Sequence, residues 1–111
     1  MAKLPNADRA IVPERKITAY LLCHTHPNGG PKAVFFERFG FRSTEWERLR
    51  DALLVHARNH EVDRSFPTRF GTMYEVAGPL TSPDGRNPSV LVAWIIWHGE
   101  DVPRLVTAVP A

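Results

Sequence analysis

From Ser89 to Trp97 the chain reads Ser-Val-Leu-Val-Ala-Trp-Ile-Ile-Trp, its longest apolar run. Both alternating sides are apolar: Val90, Val92, Trp94 and Ile96 on one, Leu91, Ala93, Ile95 and Trp97 on the other. β-Branched and aromatic residues over this length predict a strand. Two apolar sides predict a central strand covered on both faces by helices, a partner or both. As a helix the run is too short to cross a membrane.

Upstream, the apolar period is helical. Pro13 suits a first helical turn, and Ile17, Tyr20, Leu21 and His24 then share one face until the helix stops before Pro27. A second helix starts at Pro31, carries Val34, Phe35, Phe36 and Phe39, and closes at Gly40. The third and longest runs over about 45–60 with a stripe of Trp46, Leu49, Leu53, His56 and His60. Thr44 and Glu47 have the spacing of a capping box at its start. Residues 1–12 read as an extended lead-in whose Pro5 and Ile11-Val12 pair dock on the body.

Beyond His60 the period falls to two. Residues 61–66 predict a short or edge strand because Pro67 follows, and 71–80 a longer one. Pro83-Asp84-Gly85 is a turn that joins the latter to the Ser89–Trp97 strand, and 104–109 predicts a last strand. The expected fold is therefore α+β. About three N-terminal helices precede a three- or four-stranded antiparallel sheet in a single domain over residues 1–111.

Composition adds little to this. The 111 residues are 43% hydrophobic and 23% charged, ordinary for a globular chain. A net charge of +2 with a pI near 9.0 permits nucleic-acid binding without requiring it. The single Cys23 excludes an internal disulfide, and the first residues lack the apolar segment of a signal peptide, so a cytoplasmic location is expected.

The stretch His24-Thr25-His26-Pro27-Asn28-Gly29-Gly30-Pro31-Lys32 is the first candidate for chemistry. Its glycines permit close backbone approach to a ligand, and a helix starting at Pro31 or Lys32 would aim free N–H groups and a positive dipole at an anion. Lys32 adds a full charge, and His26 is suited to acid or base work on a phosphodiester. The same stretch also fits a plain polar loop with a solvent-facing lysine. His24-x-His26 and the His56/His60 pair have metal-capable spacing but lack the Glu of an H-E-x-x-H frame, so no metal or cofactor is expected.

The second candidate is 104–110. Here simple alternation sets Thr107 with Leu105 and Val109 on one face, and Arg104 with Val106 and Ala108 on the other. Thr107 reads either as a core hydroxyl or as a phosphate-binding group. Arg86 stands beside the Pro83-Asp84-Gly85 turn, and Trp94 or Trp97 offers a ring for stacking a base.

Several of these residues carry a resemblance. Leu4-Pro5-Asn6-Ala7, His26-Pro27 with Lys32-Ala33 and Phe36, Gly40-Phe41, Gly78-Pro79-Leu80 with Pro83-Asp84-Gly85-Arg86, Trp94-Ile95-Ile96, and Leu105-Val106-Thr107-Ala108 with Pro110 span nearly the whole chain. Together they resemble an uncharacterised bacterial family known by a domain-of-unknown-function label. Its members in turn resemble toxin nucleases of the Barnase–EndoU–colicin–RelE-like group. The resemblance implies N-terminal helices followed by a four-stranded antiparallel sheet, and motif positions at His26, Lys32, Arg86, Trp94, Arg104 and Thr107. Two positions depart from the family pattern, Val109 standing in place of an aromatic residue and Trp97 in place of a polar one.

The function expected on these grounds is a metal-independent ribonuclease, the toxin of a bacterial toxin–antitoxin or immunity pair. RNA is its substrate and a small cognate antitoxin or immunity protein its partner. His26, Lys32 and Thr107 are the expected catalytic residues, and Arg86, Arg104 and Trp94 the substrate-binding ones. The alternatives are a non-enzymatic protein-binding module, as an antitoxin, immunity or scaffolding partner, and a small-ligand domain. Convergence of His26, Lys32, Arg86 and Thr107 on one cleft separates the enzyme from the others.

Overall fold

The computed structural model of the chain describes residues 2–111, so Met1 of the expected lead-in lies outside it. Helix α1 (Glu14–Lys16) runs into a π-helical turn, Ile17–Leu21, and is followed by α2 (Gly30–Arg38) and α3 (Trp46–Asn59). Four strands come next: β1 (Arg64–Pro67), β2 (Gly71–Pro79), β3 (Ser89–Trp97) and β4 (Arg104–Pro110). They form one antiparallel sheet in the order β1-β2-β3-β4. No helix among the described residues is long and apolar enough to cross a membrane.

The expected central strand is β3, hydrogen-bonded to β2 on one side and β4 on the other. Within the chain its cover is one-sided. Val90, Val92 and Trp94 face the helices and are fully buried, in one core with Ile17, Leu21, Phe36, Leu49 and Leu53. Leu91 and Ile95, on the opposite face, are only half-buried, and Trp97 is exposed. The helices cover one face of the sheet and leave the other open.

Short strand connections are closed by local chemistry. Pro83-Asp84-Gly85 turns the chain between β2 and β3, with Gly85 at φ 80° and its N–H donating to the Ser82 carbonyl at 3.1 Å. Gly40 takes φ 101° just beyond α2, as its place in the sequence predicts. The capping box at α3 does not form. Ser43–Glu45 coils as a 3-10 turn, and no side chain of the residues flanking that start caps a backbone N–H. The lead-in docks through its Ile11-Val12 pair as expected, Val12 buried and Ile11 bridging to Arg104 at the free edge of β4, but Pro5 is exposed and Ala7–Arg9 coil as a 3-10 turn.

The backbone departs from a regular period at two places. In the π-helical turn the Leu22 N–H reaches back five residues to the Ile17 carbonyl at 2.8 Å. That wider turn keeps Ile17, Leu21 and Leu22 buried, with Tyr20 partly buried against the same core. In β4, Thr107 pairs with Ala93 but Leu105 pairs with Trp94, so Val106 is an extra, bulged residue. The bulge breaks the expected alternation. Leu105 and Ala108 both turn to the core, whereas Arg104, Thr107 and Val109 lie opposite Ile95, Ala93 and Leu91 on the open face.

Candidate functional site

Tyr20 stands where α1, the loop before α2 and β4 meet. Its phenol oxygen lies 2.9 Å from the Thr107 Oγ1, and its ring packs edge-on against His26 with centroids 4.9 Å apart. The Lys32 and Lys16 ammonium groups sit 5.3 Å and 5.6 Å from the centre of the same ring. Beside them opens a cleft of about 470 Å³ lined by Arg15, Lys16, Tyr20, His26, Val106 and Thr107. Three expected residues, His26, Lys32 and Thr107, therefore meet around a fourth whose place in the sequence predicts only a helix face, and of the three His26 and Thr107 line the cleft.

Glycine makes the convergence possible. A Cβ on Gly29 would lie 2.0 Å from the Tyr20 carbonyl oxygen, and one on Gly30 would lie 2.8 Å from the His24 carbonyl oxygen. The two glycines press the start of α2 against the chain that carries Tyr20. Close approach is their role, as expected, but the approach is to backbone and not to a ligand.

The helix start is also not an open anion site. The amides of Asn28 and Gly29 donate to the His26 Nδ1 at 3.0 Å and 2.9 Å, and Gly30 N–H donates to the His26 carbonyl at 2.9 Å. His26 caps the turn with its own ring. Because Nδ1 accepts two N–H groups, the neutral ring carries its proton on Nε2 and offers the cleft a donor.

The charge is one-sided. Lys32 Nζ donates to the Asn28 carbonyl at 2.9 Å, and Lys16 Nζ to the carbonyl of the bulged Val106 at 3.3 Å. Among the described residues no carboxylate forms an ion pair with Arg15, Lys16 or Lys32. Burial pushes the Tyr20 phenol up, but the Thr107 hydrogen bond and the Lys32 and Lys16 ammonium groups outweigh it and hold the phenol below its ordinary value of 10.0. A phenol held below its ordinary pKa, an N–H donor and cations without carboxylate partners stand together here, a set able to hold an anion and to exchange a proton with it.

The other expected residues lie elsewhere. Arg86 is tied into the β2–β3 turn: its Nε donates to Asp84 at 2.6 Å, its Nη2 to the Arg38 carbonyl at 2.5 Å, and its guanidinium stacks on Phe39. It does not reach Tyr20. Trp94 is fully buried and has no face to give a base. Arg104 lies 5.4 Å over the Trp97 ring in an adjoining cavity and pairs with Glu100 at 3.3 Å.

Both histidine pairs are engaged within the protein. His24 Nε2 meets Glu37 at 2.7 Å, and the Nε2 atoms of His56 and His60 meet the Gly78 and Pro79 carbonyls at 3.1 Å and 3.0 Å. No group of three or more His, Cys, Asp or Glu residues gathers as a metal site among the described residues.

A family model described as a domain of unknown function (DUF6883) matches residues 3–111. No curated protein matches the chain in sequence. In fold, the chain is similar to one in a solved contact-dependent growth inhibition toxin–immunity protein complex from Klebsiella pneumoniae 342. The TM-score is 0.72 over 94% of this chain and 95% of that one, at 13% identity. The likeness is one of architecture.

Proposed function

The chain belongs to the DUF6883 family, and from that premise we propose that it is a metal-independent ribonuclease, the toxic member of a toxin–immunity pair, with Tyr20 at its centre. The observation that carries this reading is the convergence of His26, Lys32 and Thr107 on one phenol flanked by cations that have no carboxylate partner. Arg86 is not part of the site. The architecture shared with a chain of a toxin–immunity complex supports a place in such a pair, as toxin or as immunity protein, and a cognate protein partner.

The chemistry follows from which atoms are free. RNA cleavage without a metal needs a base for the 2′-hydroxyl, charge stabilisation at phosphorus and an acid for the departing 5′-oxygen. His26 Nδ1 is occupied and Thr107 is not basic, so the Tyr20 phenolate takes the 2′-hydroxyl proton. Thr107 fixes the phenol by its hydrogen bond. The His26 Nε2–H and Lys16 hold the non-bridging oxygens, and Lys32 gives a proton to the leaving oxygen. Neutral imidazole as a donor to developing negative charge is an established use of the ring.

Purified protein incubated with single-stranded RNA in excess EDTA tests the reading. Products ending in a 2′,3′-cyclic phosphate and a 5′-hydroxyl are expected. RNA left intact, with no growth defect on expression of the chain alone, would favour the binding module instead.

A further inference from the structure

We propose that the cavity beside the Tyr20 cleft is a stacking subsite for an unpaired base of a single-stranded nucleic acid, with Trp97 as its platform. The proposal rests on the reading of the cleft as a phosphodiester site. The cavity is about 480 Å³, within the size range of small-molecule sites, and joins the cleft through Arg15, Lys16 and Val106, which line both.

Trp97 and Phe70 are 49% and 63% exposed, unusual for large aromatic side chains on neighbouring segments of one cavity. Their exposure is built in. Phe70 stands on a turn held by the Thr68 Oγ1, which donates to the Gly71 carbonyl at 2.7 Å and accepts the Phe70 and Gly71 amides at 3.2 Å. The His98 N–H donates to the Phe70 carbonyl at 3.0 Å, tying that turn to the end of β3. Across the pair, a Cβ on Gly71 would meet the Trp97 Cα at 2.7 Å, so glycine there permits the close seating of the two segments.

A guanidinium lies over each ring: Arg104, which also pairs with Glu100, is 5.4 Å from the centre of Trp97, and Arg69 is 4.8 Å from that of Phe70. Aromatic platforms with cations alongside match alternating bases and phosphates. Stacking on such platforms is largely sequence-tolerant and needs an unpaired base. Arg15 and Lys16, without acidic partners, bridge the platform to the phenol and suit the phosphate between a stacked base and the reacting one. A duplex, with its bases already stacked on each other, cannot use Trp97 in this way. The charge favours a nucleic-acid strand over a protein surface as the occupant.

The test uses a 2′-O-methyl RNA strand, which cannot be cleaved by 2′-oxygen attack, titrated into the full chain with fluorescence anisotropy as the readout. Single strand is expected to bind more tightly than the same sequence as a duplex. Trp97→Ala should weaken single-strand binding about 5- to 150-fold, and Trp97→Phe should retain most of it. Thermal melts of both variants check that the fold is intact, and Phe70→Ser, at a more exposed site, gives an independent arm with a smaller loss expected. Equal binding by wild type and Trp97→Ala, equal affinity for duplex and single strand, or a protein that shields Trp97 where no strand does would each overturn the subsite. Trp97-dependent binding in a protein that leaves RNA uncut would keep the subsite and remove the cleavage reading. Cleavage without dependence on Trp97 would do the reverse.

Discussion

In the proposed site His26 divides two tasks between its ring nitrogens. Nδ1 accepts the Asn28 and Gly29 amides, and the proposed chemistry gives Nε2–H to a phosphate oxygen. Alanine at this position removes both, leaving two amides without their acceptor at a cost of about 1–3 kcal/mol. Asparagine separates them, because its side-chain oxygen can accept the same two amides as an Asx turn does. His26→Asn is therefore expected to melt close to wild type yet cleave about 10²–10³-fold more slowly, the usual effect of losing one preorganised donor. His26→Ala should lose both stability and cleavage. Denaturant melts and initial cleavage rates on the two variants check this, and full activity in His26→Asn would remove the ring from the chemistry. The place of His26 on a loop ahead of a helix start was legible from its neighbours. Its tautomer was not, because that depends on which amides the folded turn presents.

At the scale of elements, the apolar periods were sufficient for the order of helices and strands and for the inner position of β3. They were not sufficient where the backbone departs from a regular period. A π-helical turn replaces the regular helix expected to carry Tyr20, and the β4 bulge brings Arg104 and Thr107 onto one side of the sheet. Both are single-residue slips that a pattern of residue types does not reveal, and both lie at the candidate site. Elsewhere the period holds. Leu53 is fully buried on the α3 stripe and Arg58 is exposed. Leu53→Ala should cost about 2–5 kcal/mol and Arg58→Ala less than about 0.5 kcal/mol in a denaturant melt. Similar small losses for both would mean that α3 is wrongly phased against the sheet.

For the whole molecule, the buried His56 links stability to pH. Desolvation, helped by the nearby His60, lowers its pKa from 6.5 to about 4. The unfolded chain therefore binds a proton more readily than the folded one between these values. The associated stability is fully present above pH 6.5 and is lost as pH falls toward 4, by about 3 kcal/mol in total. Urea unfolding at pH 7 and pH 4.5 should show most of this loss, and His56→Gln should reduce the difference. An equal midpoint at both pH values in the wild type would contradict the burial argument. Trp94 suits base stacking by residue type alone. The sheet instead uses it as core, with Trp97 exposed on the open face.

The proposed chemistry depends most directly on Tyr20, whose hydroxyl is the one group in the cleft placed to accept a proton. Tyr20→Phe keeps the ring against His26 and removes only the oxygen that meets Thr107. Its rate of RNA cleavage in EDTA, measured from pH 6 to 9 beside the wild type, is the decisive measurement. The wild-type rate should rise with pH toward the lowered phenol pKa, because the base must lose its proton first. Tyr20→Phe should be about 10²–10⁴-fold slower and lack that rise, with its fold intact. A folded Tyr20→Phe variant that cleaves RNA at the wild-type rate with the same pH profile would contradict the role given to the phenol.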